Sequence, residues 1–427
     1  MKLEEYFSCF YAGTKNPSLE VMHYFMEELG HTEKDLKVIH VAGTNGKGSI
    51  TEMMSNILTQ SGYRTGKFMS PHLICYNERI AINNQNITDE EFENLIIELN
   101  PKVETYNRTH DSKVTLFELQ TTMAILYFAR KQCDFVVMET GLGGLFDCTN
   151  IVNGMISIIA SIGYDHMNLL GNTLEEIAMQ KAGIIKEKGD TIFVKQEEFI
   201  NAIIEKTCKE KKNQLHCVDL KKIEEISIQA NVTKFSYGKN RNVEINLKGE
   251  KQIQNAVICL ECVAILKSKN IVIADDIMRK ALKTVIHKGR FETICENPKI
   301  IFDGAHNEPA ISHLKDTIQL YYKNAKKVLV LSIFDTKDYH KILAQLLEED
   351  AIFIFTDGNE EGRFVPKETL YDGAKKIANQ KTLKKLSMKE ALQVVKEKYN
   401  DYVTFIVGSF YVYEMVKKEL EGKNDTN

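Results

Sequence analysis

The chain has no tryptophan, only six prolines and no apolar run that approaches the ~20 residues needed to cross a bilayer. It also has no low-complexity linker and no internal repeat. The formal net charge is −4, so there is no basic excess to hold nucleic acid. The first ten residues, MKLEEYFSCF, are too acidic and too broken in hydrophobicity for a secretory signal. We therefore expect a cytoplasmic protein without nucleic-acid or membrane partners.

The nine cysteines are odd in number and scattered, which indicates reduced thiols rather than a disulfide framework. They are Cys9, Cys75, Cys133, Cys148, Cys208, Cys217, Cys259, Cys262 and Cys295. Only Cys259 and Cys262 form a CxxC pair. The stretch around them, NAVICLECVAILK, has the apolar spacing of a helix, and no second pair completes a zinc site. We expect both thiols to pack in a helical core.

Strand-like and helix-like segments alternate along the 427 residues, which predicts an α/β fold with mostly parallel sheets. The length favours two domains. The predicted strands of the first domain are LKVIHVA, TGKFM, FVVME and GMISIIASI, and its predicted helices are GSITEMMSNILTQSG, FELQTTMAILYFARKQ and TLEEIAMQKAGII. Residues 201–249 are lysine-rich and polar, and predict short strands and loops.

A second alternation begins at PKIIFDGAHN and continues through KVLVLSIFD, AIFIFTD and YVTFIVGSF. Each of these strand-like segments precedes a helix-like stretch. The segment before them, Ile286 to Pro298, is interpreted as linker and turn. We therefore expect an N-terminal domain at 1–288 with a P-loop-type sheet, and a smaller Rossmann-like α/β domain at 289–427.

The stretch VIHVAGTNGKGS, residues 38–49, predicts a phosphate-binding turn between a strand and a helix. Such a turn surrounds an anion with backbone N–H groups and the positive end of a helix, and Lys47 adds a point charge. The match to GxxxxGK[ST] is imperfect, because Val41 replaces the first glycine and Gly48 separates Lys47 from Ser49. The alternative, a capping turn with a surface lysine, needs one glycine and does not explain three in six residues.

Polar residues follow three other predicted strands, where open α/β sheets place their sites. Ser70 lies in MSPHL, Glu139 in METGLGG, and Asp165 with His166 in IGYDHMN. Taken singly, each has a structural interpretation as a helix cap, a sheet-end charge or a hydrogen-bonded histidine. Taken together, they offer the few hard ligands that magnesium needs beside a phosphate.

Several ordered motifs resemble folylpolyglutamate synthase and dihydrofolate synthase of the Mur ligase superfamily. They are HVAGTNGKGS, SPHL, NERI, LFELQTT, GLGGLFDCTNIV, DHMNLLGNTLEEIAMQKAGIIK, GRFE and DGAHN. The resemblance implies that ATP phosphorylates a folate or dihydropteroate carboxylate and that L-glutamate then attacks the acyl phosphate. It also implies ATP, Mg²⁺ and optionally a monovalent cation as cofactors.

The resemblance further implies individual roles. The residues that match triphosphate and other ATP contacts are Asn45, Gly46, Lys47, Gly48, Ser49, Asn255, Arg290 and Asp303. The residues that match metal positions are Ser70, Glu139 and His166. Lys181 matches a carbamylated lysine, although alone it would be a helix lysine on a solvated face. His306 matches a position near the glutamate and phosphate, although DGAHN alone is equally a polar turn after a strand.

The implied pterin pocket rests on Thr115, Phe146, Asp147 and Cys148. The sequence departs from many relatives here, with Leu145 and Phe146 in place of Arg-Leu, and also at HKGR, where a Trp-Pro pair often precedes Gly-Arg. Pocket shape decides between dihydrofolate synthase activity, folylpolyglutamate synthase activity or both. Nothing in the sequence demands a partner chain, and we expect a monomer.

Three other functions compete with this interpretation. A Mur-type ligase acting on a non-folate carboxylate is the nearest. A cell-wall Mur ligase would carry a nucleotide-sugar domain before its phosphate loop, and here that loop begins at Gly43. A nucleotide switch would not need a second α/β domain with Arg290, Asp303 and His306, and the sequence has no N-K-x-D motif.

Overall fold

The computed structural model describes residues 6, 7, 10, 18–229, 232–358, 363–378 and 380–422. The chain divides into two compact units. The first comprises Met1–Ile226, Lys234–Ile245 and Ile253–Val285, and the second comprises Ser227–Thr233, Asn246–Gln252 and Ile286–Asn427. Cys9 lies outside the described residues, and the other eight cysteines are free thiols.

The first unit contains an eight-stranded sheet. Its strands are β1 (Val38–Ala42), β2 (Thr65–Phe68), β3 (Ile80–Ile82), β4 (Gln85–Asn86), β5 (Phe135–Glu139), β6 (Gly154–Ile159), β7 (Asp190–Val194) and β8 (Gln214–Val218). Their order is β4-β3-β2-β5-β1-β6-β7-β8. All neighbouring pairs are parallel except β2 with β3 and β3 with β4. The four strands that the sequence predicts are adjacent at the centre.

A separate three-stranded sheet, in the order β11-β10-β9, follows the first. Its strands are β9 (Ile223–Ile228), β10 (Thr233–Tyr237) and β11 (Asn240–Ile245). The helices up to residue 285 are α1 (Glu20–Glu28), α2 (Lys47–Gln60), α3 (Asp89–Thr109), α4 (Leu116–Arg130), α5 (Met167–Leu170), α6 (Leu174–Ala182), α7 (Glu198–Glu210), α8 (Glu250–Ser268) and α9 (Asp275–Thr284).

Helix α7 corrects the prediction of strands and loops from residue 201 onward. Its buried side chains are Ile200, Ile204 and Cys208, four residues apart on one face. The lysines and glutamates that made the segment look irregular occupy the opposite, exposed face. On α8, Cys259 and Cys262 are both fully buried, which confirms the predicted core packing of the CxxC pair.

The second unit contains a six-stranded sheet in the order β12-β13-β17-β14-β15-β16. Its strands are β12 (Glu292–Cys295), β13 (Ile300–Asp303), β14 (Lys327–Leu331), β15 (Ile352–Phe355), β16 (Leu383–Lys385) and β17 (Val403–Val407). Its helices are α10 (Glu308–Tyr322), α11 (Tyr339–Leu346), α12 (Lys367–Ile377), α13 (Met388–Lys398) and α14 (Tyr413–Glu421). All pairs are parallel except β12 with β13.

The four strands predicted for this unit are confirmed as β13, β14, β15 and β17. The interpretation of residues 286–298 as linker and turn was wrong for its middle part, because β12 pairs with β13 there. Strand β16 was not predicted. Among the described residues, no helix is both long and apolar enough to cross a membrane.

Candidate active site

The polar residues predicted at strand ends lie at one edge of the first sheet. Strands β2, β5, β1 and β6 are neighbours and run parallel, so their carboxyl ends share that edge. In the register of the strands, Val41 is opposite Glu139 and Ala42 is opposite Ile159. The phosphate loop, Ser70, Glu139 and the segment with His166 each follow or end one of these strands.

The phosphate loop, defined here as residues 43–49, joins β1 to α2. Gly46 is the N-cap residue of the helix with φ +90°, a backbone conformation that favours glycine, and it has no side chain to cap the helix. The N–H groups of the first turn therefore point toward any anion at the loop. Lys47 Nζ donates to the carbonyl oxygen of Gly43 at 2.9 Å, and Ser49 is buried.

Ser161, in the segment after β6, holds the phosphate loop through hydrogen bonds to Thr44 and Asn45. Thr44 N donates to the Ser161 carbonyl at 2.7 Å, and Asn45 N donates to Ser161 Oγ at 3.0 Å. Ser161 Oγ in turn donates to the Asn45 carbonyl at 3.0 Å. Ser161 was not predicted as a site residue, and its only signal in the sequence was its position near the end of the predicted strand GMISIIASI.

Asn255 reaches the phosphate loop from α8, 209 residues away in sequence from Gly46. A Cβ atom built on Gly46 would lie 2.8 Å from Asn255 Oδ1. The amide of Asn255 therefore packs against the loop, and glycine is required there for space as well as for its φ angle. Asn255 thus lies beside Gly46 of the phosphate loop, and its role as an ATP contact stays a prediction.

The predicted metal residues are less tightly gathered. Glu139 is 5% exposed, and its Oε2 accepts a 3.4 Å hydrogen bond from Ser70 N. The His166 side chain is 46% exposed, with Nε2 3.8 Å from Asp165 Oδ1. Within the described ranges, no three His, Cys, Asp or Glu side chains form a metal-binding group. The available donors, a hydroxyl, a carboxylate and an imidazole, suit Mg²⁺, which keeps most of its ligands as water or phosphate oxygen.

Lys181 on α6 is 2% exposed, so its interpretation as a lysine on a solvated face is wrong. Burial and the nearby Lys47 cation lower the pKa of Lys181 to about 7, while Asp165 and Asp147 act in the opposite direction. A large fraction of this amine is therefore neutral, and nucleophilic, near pH 7.

Residues 141–144, here called the glycine loop, pack directly on the helix that carries Lys181. A Cβ on Gly144 would lie 2.6 Å from the Gln180 carbonyl oxygen, and a Cβ on Gly183 would lie 2.3 Å from Leu145 Cα. Leu145 N also donates to the Gln180 carbonyl at 2.7 Å. The two glycines allow the loop backbone and α6 to approach within hydrogen-bonding distance.

The four residues implied for a pterin pocket differ in exposure. Phe146 is 43% exposed, whereas Asp147 is buried and Cys148 is partly buried. Both oxygens of Asp147 accept backbone N–H groups, from Leu142 at 2.7 Å and from Thr149 at 3.1 Å. Thr115 caps α4, because its hydroxyl accepts from Glu118 N at 3.3 Å. Of the four, Phe146 presents the most side-chain surface.

In the second unit, Arg290 and His306 both lie against the ring of Phe410, and the Arg290 charge acts on Asp303. The Arg290 guanidinium is 4.5 Å from the centroid of Phe410, and the His306 ring is 6.0 Å from it. Asp303 accepts from Phe291 N and Ala305 N, both at 2.8 Å. Burial raises the pKa of Asp303, and the Arg290 cation acts against that rise. Phe410 was not predicted from the sequence.

The family models match both units. Residues 41–263 match the Mur ligase middle domain, and residues 289–410 match the Mur ligase glutamate ligase domain. The phosphate loop and the strand-end residues lie in the first match, and Arg290, Asp303 and His306 lie in the second. The fold and site therefore define a Mur-type ligase, an ATP-dependent enzyme that forms amide bonds.

Individual relatives narrow this class. The chain is 35% identical to the dihydrofolate synthase/folylpolyglutamate synthase of Bacillus subtilis, over 95% of each chain. Its structure resembles the folylpolyglutamate synthase of Thermotoga maritima, with TM-score 0.86, 28% identity and coverage of 100% and 97%. It also resembles the Mycobacterium tuberculosis enzyme complexed with ADP and AMPPCP, with TM-score 0.88, 25% identity and coverage of 100% and 98%. The chain belongs to the folylpolyglutamate synthase/dihydrofolate synthase family.

Proposed function

We propose that this protein adds L-glutamate both to dihydropteroate and to reduced folates, with ATP as the source of energy. The observation that carries the ligase chemistry is the phosphate loop at the start of α2, near the buried Lys181 and at the shared carboxyl edge of four parallel strands. The name of the Bacillus subtilis relative, which includes both activities, supports the dual substrate range.

The phosphate loop would hold the triphosphate. The N–H groups of Gly46, Lys47 and Gly48 face the anion at the helix start, and Asn45, Ser49 and Asn255 add polar contacts. Lys47 would exchange its bond to the Gly43 carbonyl for the β- and γ-phosphates. Its positive charge then stabilises the charge that develops as the γ-phosphoryl group passes to the substrate carboxylate.

Ser70, Glu139 and His166 would hold Mg²⁺, together with a carbamate on Lys181. Bound Mg²⁺ would supply neutralisation of the phosphate charge during transfer. The carbamate forms when the neutral Lys181 amine attacks carbon dioxide: a nitrogen–carbon bond is made, and the amine releases one proton. The product carries a negative charge and two oxygen acceptors in place of a cation. The lowered pKa of the Lys181 amine supports this step, since only its neutral form reacts.

The second unit would bind the nucleotide and the incoming amino acid. Arg290 and Asp303 would contact ATP. His306 Nδ1 is 2.7 Å from the Gly304 carbonyl, which can only accept, so the proton of a neutral ring lies on Nδ1. Nε2 is then the basic nitrogen. It would take the proton that the glutamate amine loses as the carbon–nitrogen bond forms and phosphate leaves the acyl carbon.

The pterin would bind beside Thr115 and the turn at residues 146–148. Phe146, which is exposed, offers an aromatic surface for stacking, whereas Asp147 and Thr115 shape the pocket through the backbone groups that they bind. The replacement of Arg-Leu by Leu145 and Phe146 makes this turn less basic than in many relatives. We expect it to influence which folate is preferred.

We also propose a monomeric, cytoplasmic protein with domains at 1–288 and 289–427. The boundaries of the two family matches, 41–263 and 289–410, support this division. The free thiols of the eight described cysteines support a reducing compartment. Light scattering coupled to gel filtration tests the monomer.

Parallel assays test the substrate range. Purified protein with ATP, Mg²⁺ and L-glutamate receives either dihydropteroate or a reduced monoglutamyl folate, and the product is identified by mass. We expect one glutamate to be added to each. If neither substrate causes phosphate release, the folate assignment is contradicted. If glutamate is added to only one of the two substrates, the dual range is contradicted.

A further inference from the structure

A chain of side-chain contacts links β1, the strand before the phosphate loop, to the turn at residues 146–148, here called the pterin turn. His40, in the middle of β1, is fully buried, and its Nε2 is 2.8 Å from Thr149 Oγ1. The Thr149 hydroxyl also bonds to Asp147 Oδ1. Asp147 Oδ2 accepts from Leu142 N at 2.7 Å, in the glycine loop. From the sequence, His40 is expected to be part of a buried strand, and Thr149 lies in the motif GLGGLFDCTNIV without a role of its own.

A count of protons sets the direction of these bonds. Burial raises the pKa of Asp147, and the backbone N–H groups that both of its oxygens accept act against that rise and favour the ionised carboxylate, which can only accept. The single hydroxyl proton of Thr149 must then go to Asp147. His40 Nε2 is therefore the donor to Thr149, and its ring carries the proton on Nε2. In the described part of the chain, Nδ1 of His40 is buried without a partner, which costs less for a lone pair than for an N–H group.

We propose that His40 is a positioning residue that holds the pterin turn and the glycine loop in place for the reaction, acting through Thr149 and Asp147. This inference rests on the proposed function, in which residues 146–148 line the substrate pocket. His40 precedes the phosphate loop by only two residues on the same strand. The strand that leads into the phosphate loop therefore also sets the position of the turn that lines the proposed pterin pocket.

The surroundings keep this histidine neutral. Burial, assisted by the Lys186 cation, lowers the pKa of His40 to about 3. Lys186 itself donates to the Asn150 carbonyl at 2.8 Å, on the other side of Thr149. Asn150 Nδ2 donates a hydrogen bond to the Leu145 carbonyl at 2.9 Å. The turn is thus fastened to its neighbours on both sides of Thr149.

Matched substitutions test the positioning role. His40→Gln keeps an N–H donor near the place of Nε2, whereas His40→Leu removes it. Thr149→Val breaks the same link, and Thr149→Ser retains it. We expect His40→Leu and Thr149→Val to raise the KM for dihydropteroate about tenfold or more, because small displacements of a positioning element are costly. The KM for ATP should stay within about twofold in the same variants.

The conservative variants and the imidazole tautomer complete the test. His40→Gln and Thr149→Ser should keep the dihydropteroate KM within about threefold of the wild type. Nitrogen-15 NMR of histidine-labelled wild-type protein should show a neutral His40 ring with its proton on Nε2. A proton on Nδ1, or equal rises in KM for ATP and dihydropteroate, overturns the inference.

These outcomes separate the inference from the proposed function. If His40→Leu does not fold, the NMR tautomer of His40 and the comparison of Thr149→Val with Thr149→Ser still test the inference. If the wild-type protein uses neither dihydropteroate nor folate, the proposed function is contradicted. If the wild-type protein turns over normally and Thr149→Val has an unchanged KM for dihydropteroate, only the role of His40 is contradicted.

Discussion

Replacing Gly144 with alanine tests whether the close packing of the glycine loop on α6 is needed for activity. The new Cβ would lie 2.6 Å from the Gln180 carbonyl oxygen and 3.1 Å from Lys181 Cα. Ordinary contact begins at 3.4 Å, so the loop must move by about 0.8 Å (3.4 minus 2.6). Both of these neighbours are backbone atoms and cannot rotate away. Overpacking of this kind destabilises a protein by about 1–3 kcal/mol.

The larger effect should be on activity. A displacement near 1 Å at a reacting centre can reduce the rate by about a hundredfold. We therefore expect kcat/KM for dihydropteroate to fall by about 10- to 100-fold in Gly144→Ala, with thermal unfolding only a few degrees lower. Steady-state kinetics and calorimetry measure the two quantities.

Gly373→Ala is the matched control, since Gly373 lies on α12 and its nearest atom to a new Cβ is 3.4 Å away. The added Cβ would meet only ordinary van der Waals contacts, and replacing such a helical glycine by alanine stabilises a protein by about 0.5–1 kcal/mol, so this variant should be active and slightly more stable. If Gly144→Ala retains both wild-type kcat/KM and wild-type unfolding temperature, the loop is not held against α6 as described.

Three further predictions concern the two lysines. Lys47→Ala should lose ligation while its unfolding temperature stays near that of the wild type, because the Lys47 side chain is only partly buried and adds little packing; unchanged turnover at saturating ATP contradicts the phosphate role. Lys181→Arg, which cannot be carbamylated, should be inactive, while a small added carboxylate should partly restore Lys181→Ala; a fully active Lys181→Arg contradicts the carbamate. In bicarbonate-free buffer, the folded chain loses the Lys181 proton near pH 7, whereas the unfolded chain loses it near pH 10.5. Between these pH values the unfolded chain binds one more proton than the folded chain. The free energy of unfolding should therefore rise with pH by up to about 1.4 kcal/mol per pH unit, relative to Lys181→Met. Identical pH profiles from urea titrations would show that the amine is not buried.

Local patterns predicted the parts of the molecule that local chemistry determines. The phosphate loop follows from a strand, a glycine-rich turn and a helix within residues 38–60, and the structure confirms each of these elements. Helix α7 was missed because its three buried residues are outnumbered by charged ones. Strand β12 was missed because it exists only through its pairing with β13. Neither pattern stands out in a single stretch of sequence.

The burial of Lys181 could not be read from the sequence for a different reason. It depends on the glycine loop, 37 residues earlier at Gly144, which packs on α6 from outside the helix. The link between His40 and Thr149 is likewise a contact across 109 residues. The resemblance to a ligase family supplied the role of Lys181, whereas only the tertiary structure shows the environment that would permit it.

Transfer of oxygen from the substrate to phosphate tests the central claim most directly. Dihydropteroate labelled with oxygen-18 in its carboxylate is incubated with the protein, ATP, Mg²⁺ and L-glutamate, and the released phosphate is analysed by mass. An acyl-phosphate intermediate requires the carbon–oxygen bond to break when glutamate attacks, so one oxygen-18 atom should appear in each phosphate released. Amide formation with unlabelled phosphate would contradict the account, because the carboxylate would then not have been phosphorylated.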